Sequence, residues 1–286
     1  ELLQAAWRTV RAPRRALERG WAIASGLRWY GSALRPTPRT SLDGTIGPHR
    51  RWTFAGASLG DVRTIRHALG GTVNDVVLAA VTSGFRDLIV ARGEDPDHVA
   101  LRTLVPVSMR DQTARGVYDN RVSAMFLDLP VHLEDPLERL AAVHEQMDRL
   151  KQSHEAEAGE ALTHLADAVP PALTAQATRL VSRLVTRVPQ RTMNTVTTNV
   201  PGPQFPLYAA GREMLEYLPF VPLGPGVRIG VAILSYNGQL RFGITGDYDT
   251  APDIDILADG IDAAVTTLLR LARADTAENK RYAGVR

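Results

Sequence analysis

The chain reads as a mixed α/β protein, a mixed sheet with flanking helices, on three observations. Stretches rich in β-branched residues, such as Thr195-Val196-Thr197-Thr198, favour a pleated backbone, while Val73, Val76, Val77, Ala80, Val81, Gly84 and Leu88 recur with helical spacing. The two kinds of segment interleave along the chain, the pattern expected when helices pack on a mixed sheet. Finally, 286 residues with 44% hydrophobic content are ample for a buried core, in one large domain or two small ones.

Taken in order, residues 3 to 34 alternate apolar and basic positions (Leu3, Ala6, Trp7 and Val10 against Arg8, Arg11, Arg14 and Arg15), which predicts one or two helices broken at Pro13. Over residues 1 to 36 Glu1 and Glu18 are the only acids, so this segment could lie on an anionic membrane with its tryptophans at the interface, or pack on its own domain. Residues 36 to 48, with Pro36, Pro38, Gly44, Gly47 and Pro48, read as a loop or linker, so a basic helical linker region over 1–50 precedes a domain over 51–286. Arg51 to Phe54 is a short strand. Leu59 to Leu69 is a helix stopped by Gly70-Gly71.

Thr72 opens a long helix, and its spacing to Asp75 fits a capping box. Strands are predicted over Leu101 to Val107 and Val122 to Leu129. Asp135-Pro136 caps a helix with Leu137, Leu140, Ala141, His144, Met147 and Leu150 on one face, and a looser helical region runs from about Glu160 to Thr186. Met214 to Pro219, Arg228 to Ser235 and Leu240 to Tyr248 are further strands, with Asn237-Gly238 as a type I′ hairpin signal between the last two. An amphipathic helix from Ile254 to Leu271 closes the pattern.

One junction holds polar groups at a fixed place. After Thr197-Thr198-Asn199-Val200, Pro201 lacks an N–H for a ladder and Pro203 restricts Gly202, so the strand must end near Asn199. Period-two alternation puts Thr195, Thr197 and Asn199 on one face, either a solvated face or a site. Asn74 is also unexplained by capping: it has poor helix propensity yet sits in a first turn, where free N–H groups could meet an oxyanion.

Composition narrows the chemistry. A formal charge of +2 argues against a nucleic-acid partner, and zero cysteines exclude disulfides, thiolate metal sites and a cysteine nucleophile. No apolar run approaches the roughly 18 residues that span a bilayer. The seven histidines show no metal-ligand spacing, and His144, on an apolar helix face, reads as a packing residue. Arg102, Arg110, Arg121 and Arg191 near strand ends could meet a phosphate. No G-x-S-x-G elbow, P-loop or dinucleotide fingerprint is present. The residues alone thus give a fold and polar junctions without a complete catalytic group.

Several segments together resemble the bacterial wax ester synthase/diacylglycerol acyltransferase family: Gly47-Pro48-His49-Arg50-Arg51, Thr72-Val73-Asn74-Asp75-Val76-Val77-Leu78-Ala79-Ala80, Leu104-Val105-Pro106-Val107-Ser108-Met109-Arg110, Asn120-Arg121-Val122-Ser123 and Asn199-Val200-Pro201-Gly202-Pro203. Their order and spacing fit over nearly all of residues 40 to 273. The resemblance implies a chloramphenicol-acetyltransferase-like α/β half and transfer of a fatty acyl group from acyl-CoA, as co-substrate, to diacylglycerol or a long-chain alcohol, with no metal and no further cofactor. It also implies that the general base is the second histidine of a His-His-x-x-x-Asp-Gly motif, absent from this sequence, in an N-terminal half that would be the partner of this C-terminal half. The start at Glu1, without Met or a signal-peptide pattern, reads as a processed or truncated piece.

Site-supporting or substrate-binding roles then carry over to Asn74, Asp75, Thr197, Asn199 and Gly202, and to Ser108 and Arg110 at a strand end beside Pro106. Substrate solubility implies a cytoplasmic protein peripherally associated with the inner membrane or lipid inclusions. The competing expectation is a non-catalytic lipid- or membrane-binding module.

Overall fold

A computed structural model describes residues 36–108, 122–152 and 192–283 of the chain. The elements run β1 (Asp43–Gly44), β2 (Arg50–Ser58), α1 (Leu59–Leu69), α2 (Val73–Ala91), β3 (Leu101–Ser108), β4 (Val122–Leu129), α3 (Pro136–Gln152), β5 (Thr195–Pro201), β6 (Tyr208–Ala209), β7 (Arg212–Glu213), β8 (Gly226–Val227), β9 (Ile229–Tyr236), β10 (Gln239–Asp247) and α4 (Ile254–Ala283). The chain divides into two compact units, one of residues 36–106, 126–148 and 189–286, the other of 1–35, 107–125 and 149–188. The helices expected over 3–34 and 160–186 lie outside the described residues.

A six-stranded mixed sheet, in the order β2-β10-β9-β5-β3-β4, is the frame. β10 runs antiparallel to both β2 and β9, whereas β5 runs parallel to β9 on one side and to β3 on the other. The β9–β10 turn is the expected hairpin: Asn237 and Gly238 both have positive φ, 43° and 80°, as a type I′ turn requires. Helices α2 and α4 pack together through glycine. A Cβ on Gly84 would lie 2.5 Å from the Leu257 carbonyl oxygen, so only glycine lets the two axes approach this closely. Phe85, Leu88, Phe242, Ile244, Leu257 and Ile261 form the buried core around that contact.

Capping behaves as the sequence dictates. Ser58 accepts from the N–H groups of Gly60 and Asp61 to open α1, Gly70 closes it with φ 87°, and Asp135 Oδ1 accepts from the N–H groups of Leu137 and Glu138 to open α3.

Four expectations change. The strand expected over Arg51 to Phe54 runs from Arg50 to Ser58, because Ala55, Gly56 and Ala57, weak strand formers, each pair with β10, opposite Phe242, Arg241 and Leu240. The segment expected as a strand from Met214 to Pro219 is irregular after the two-residue β7. Its carbonyls find side-chain donors instead of a ladder: Met214 O accepts from the Tyr236 hydroxyl at 2.8 Å and Pro219 O from Trp52 Nε1 at 3.3 Å. The expected loop over 36 to 48 contains β1, paired with β8, and is pinned by the fully buried Leu42. The last helix continues past Leu271 to Ala283. Among the described residues no helix is long and apolar enough to cross a membrane.

Candidate functional site

The Asn199 junction and the start of α2 meet. Thr195, Thr197 and Asn199 do share one face of β5, and the first two are buried, not solvated. Thr195 Oγ1 donates to the Ile229 carbonyl at 2.8 Å, and Thr103 Oγ1 on β3 donates to Thr197 Oγ1 at 2.9 Å. Each buried hydroxyl is thereby satisfied inside the sheet. The strand expected to end near Asn199 keeps its register with β9 to Pro201, and Asn199, two residues short of that end, donates through Nδ2 to Asn74 Oδ1 at 3.1 Å. Both asparagines are partly exposed. The pair sits at the C-terminal end of β5, where parallel strands of α/β sheets present ligand-binding groups.

Asn74 is held there by the capping box read from the sequence. Thr72 Oγ1 accepts from the Asp75 N–H at 3.3 Å, and Asp75 Oδ2 accepts from the Thr72 N–H at 2.8 Å. Asp75 does more than cap, since it is fully buried and its Oδ2 lies 2.8 Å from His144 Nδ1 on α3. Its other oxygen, Oδ1, has no hydrogen-bond partner among the described residues. His144 Nε2 in turn faces Asp148 Oδ2 at 3.4 Å, one helical turn along. His144 is therefore not a residue packed among apolar neighbours, as its position on the stripe predicts. It stands between two carboxylates, and the detectable signal was a polar ring on that stripe four residues before an aspartate.

Gly202 has a steric reason to be glycine. A Cβ there would collide with the Ser235 carbonyl oxygen of β9, while its N–H donates to Ser235 Oγ at 3.2 Å. It shapes the turn after the strand. Ser108 is the last residue of β3. Arg110, like Arg121 and Arg191, lies outside the described residues. Arg102, a phosphate candidate by sequence, is engaged with Asp128 at 2.7 Å.

Chemically, the arrangement offers amide groups at a strand end and a helix N-terminus. Asn74 Oδ1 is taken by Asn199, and the Asn74 amide N–H groups have no partner among the described residues, so they can face a developing negative charge.

The WS/DGAT C-terminal domain matches residues 118–268, and the wax ester synthase/diacylglycerol acyltransferase catalytic domain matches residues 1–77. The second match corrects the expectation of a C-terminal half alone, because Asn74 and Asp75 fall within the catalytic-domain match and Asn199 within the C-terminal one. A probable diacyglycerol O-acyltransferase of Mycobacterium tuberculosis is 41% identical over 96% of this chain and 56% of its own length. A second, putative diacyglycerol O-acyltransferase of the same organism is 35% identical over 82% of this chain and 47% of its own. The chain thus spans about half the length of the curated relatives it matches.

Among solved structures, the wax ester synthase/diacylglycerol acyltransferase from Marinobacter aquaeolei superposes with TM-score 0.65 at 25% identity, covering 88% of this chain and 55% of that one. The epimerization domain of tyrocidine synthetase B shares the fold, with TM-score 0.51 at 13% identity over 88% of this chain and 56% of that one. Domain matches, relatives and fold agree: the chain belongs to the wax ester synthase/diacylglycerol acyltransferase family.

Proposed function

We propose that this chain carries one wall of an acyl-transfer site that moves a fatty acyl group from acyl-CoA to the hydroxyl of diacylglycerol or a long-chain alcohol. The observation that supports this reading is the Asn199–Asn74 hydrogen bond, which joins two of the segments that together carry the family resemblance. The acceptor hydroxyl gives its proton to a general base and attacks the thioester carbonyl. The new C–O bond forms, the C–S bond breaks, and the base returns the proton to the CoA thiolate. The base in this reading is a histidine of a His-His-x-x-x-Asp-Gly motif outside this sequence. The Asn74 amide faces the oxyanion, Asn199 orients it, and Asp75, Thr197 and Gly202 hold that geometry. Ser108 and Arg110 are assigned to CoA binding or site support by the family resemblance, and no cofactor beyond acyl-CoA is needed.

The acceptors are water-insoluble, so the protein works at the inner membrane face or on lipid inclusions, with the basic, tryptophan-bearing first 36 residues as the contact. Binding to anionic vesicles that does not weaken with salt would remove the electrostatic part of this idea.

The direct test assays the full-length protein with acyl-CoA and each acceptor. Asn74→Ala is expected to lower kcat by roughly 10²-fold, the size of a lost oxyanion donor, with KM for acyl-CoA nearly constant. Unchanged turnover would refute the assignment of Asn74.

A further inference from the structure

His144 comes from a helix 69 residues away from Asp75 in sequence and belongs to no motif that carries the family resemblance. Yet it makes the side-chain contact that a capping box does not need. An acid at the third position of a helix normally keeps its second oxygen in water. Asp75 is fully buried, one oxygen is shared by the Thr72 N–H and His144 Nδ1, and the other has no partner among the described residues. A carboxylate in that position is costly unless it is paired, and His144 is the side chain that pairs with it.

The chain also leaves room for the pair. Gly71 has φ +80°, and a Cβ there would lie 3.3 Å from Asp75 Oδ2 and 3.7 Å from His144 Nδ1.

We propose that His144 is a positioning residue of the acyl-transfer site, acting through Asp75 to fix the first turn of α2 and so the Asn74 side chain against Asn199. The inference rests on the reading of that site given above. His144 is not assigned as a base, because its Nδ1 is engaged by Asp75 at 2.8 Å and its Nε2 faces Asp148 at 3.4 Å. Its Nδ1–H gives Asp75 Oδ2 a second donor beside the Thr72 N–H of the capping box. Asn74, adjacent in sequence, inherits the orientation.

The test contrasts two substitutions in the full-length acyltransferase. His144→Asn places an amide donor near the position of Nδ1 and still reaches Asp75. His144→Gln places it near the position of Nε2, meets Asp148 and misses Asp75. The Asn variant is expected to keep kcat within about threefold of the parent and the Gln variant to lose about tenfold or more, with KM for acyl-CoA within about twofold in both. Circular dichroism and thermal melts establish that the compared samples are equally folded.

Should the Gln variant not fold, His144→Leu, which removes both donors, takes its place. Equal kcat for the Asn variant and its comparator would overturn the positioning role, as would a loss that appears only in KM. If Asn74→Ala leaves turnover unchanged, the reading of the site fails and this inference with it. If Asn74→Ala is slow while the His144 variants are alike, the positioning role alone is wrong.

Discussion

Thr103 and Thr197 face each other in the middle of the sheet, both fully or almost fully buried, and share one hydrogen bond of 2.9 Å. A buried hydroxyl deprived of its partner loses its hydrogen bond without regaining water, which costs on the order of 1–3 kcal/mol. Thr197→Val is therefore expected to lower stability by about that amount, because Thr103 is left alone. Adding Thr103→Val should restore part of the loss, since two shape-matched apolar groups need no hydrogen bond. Chemical denaturation of the single and double variants measures the difference, and a double variant worse than the sum of the singles would contradict it. The residue types were legible in the sequence as a polar alternation on a β-branched strand. Their burial was not, because solvated and cross-strand-satisfied threonines look the same until the neighbouring strand is known. His144 misled in the opposite direction, since its place on an apolar stripe says nothing of a carboxylate arriving from another helix.

At the scale of elements, signals local to a few residues transferred to the structure. The Gly70 stop, the Asp135 cap, the Thr72 capping box and the Asn237-Gly238 turn all lie where their spacing puts them. What failed were extents set by distant partners. Ala55 to Ala57 become strand only because β10 lies alongside, and the Met214 to Pro219 segment is irregular because Tyr236 and Trp52 engage its carbonyls.

One inter-element tie makes a pH prediction. Arg92, at the C-terminal end of α2, donates through Nε to Asp253 Oδ2 at 2.8 Å and through Nη2 to Asp253 Oδ1 at 2.5 Å, just before α4 begins. The hydrogen bond from Arg92 holds the Asp253 carboxyl below its ordinary value of 3.8, against partial desolvation. A carboxylate depressed in the folded state contributes stability that is present above its unfolded pKa and lost as pH falls through the folded one. Asp253→Asn should thus lower the melting temperature at neutral pH, and the gap to the parent should close as pH drops below 3.8. A gap that persists unchanged into strong acid would show that the pair does not titrate in this way.

At the scale of the whole molecule, the sequence order of strands and helices gave the fold class, and the arrangement of motifs along the chain gave the family. Neither could place Asn74 beside Asn199, because the residues are 125 positions apart and meet only through the crossover that lays β5 between β3 and β9. That contact joins a residue of the catalytic-domain match to one of the C-terminal-domain match, so it is where cooperation between the two segments can be measured. If the asparagines act as one unit, removing either disables both, and the second substitution has little left to remove. In the full-length protein, Asn74→Ala and Asn199→Ala should each slow acyl transfer strongly, while the double variant should be slower than the worse single by only about threefold. Independent roles would instead multiply the two losses. Melting curves taken alongside separate this coupling from simple unfolding, since a partly buried amide pair of this kind is worth about 1 kcal/mol of stability. Losses that multiply, in samples that remain folded, would mean that Asn74 and Asn199 serve different steps, and the shared wall would have to be divided between acyl-CoA and acceptor.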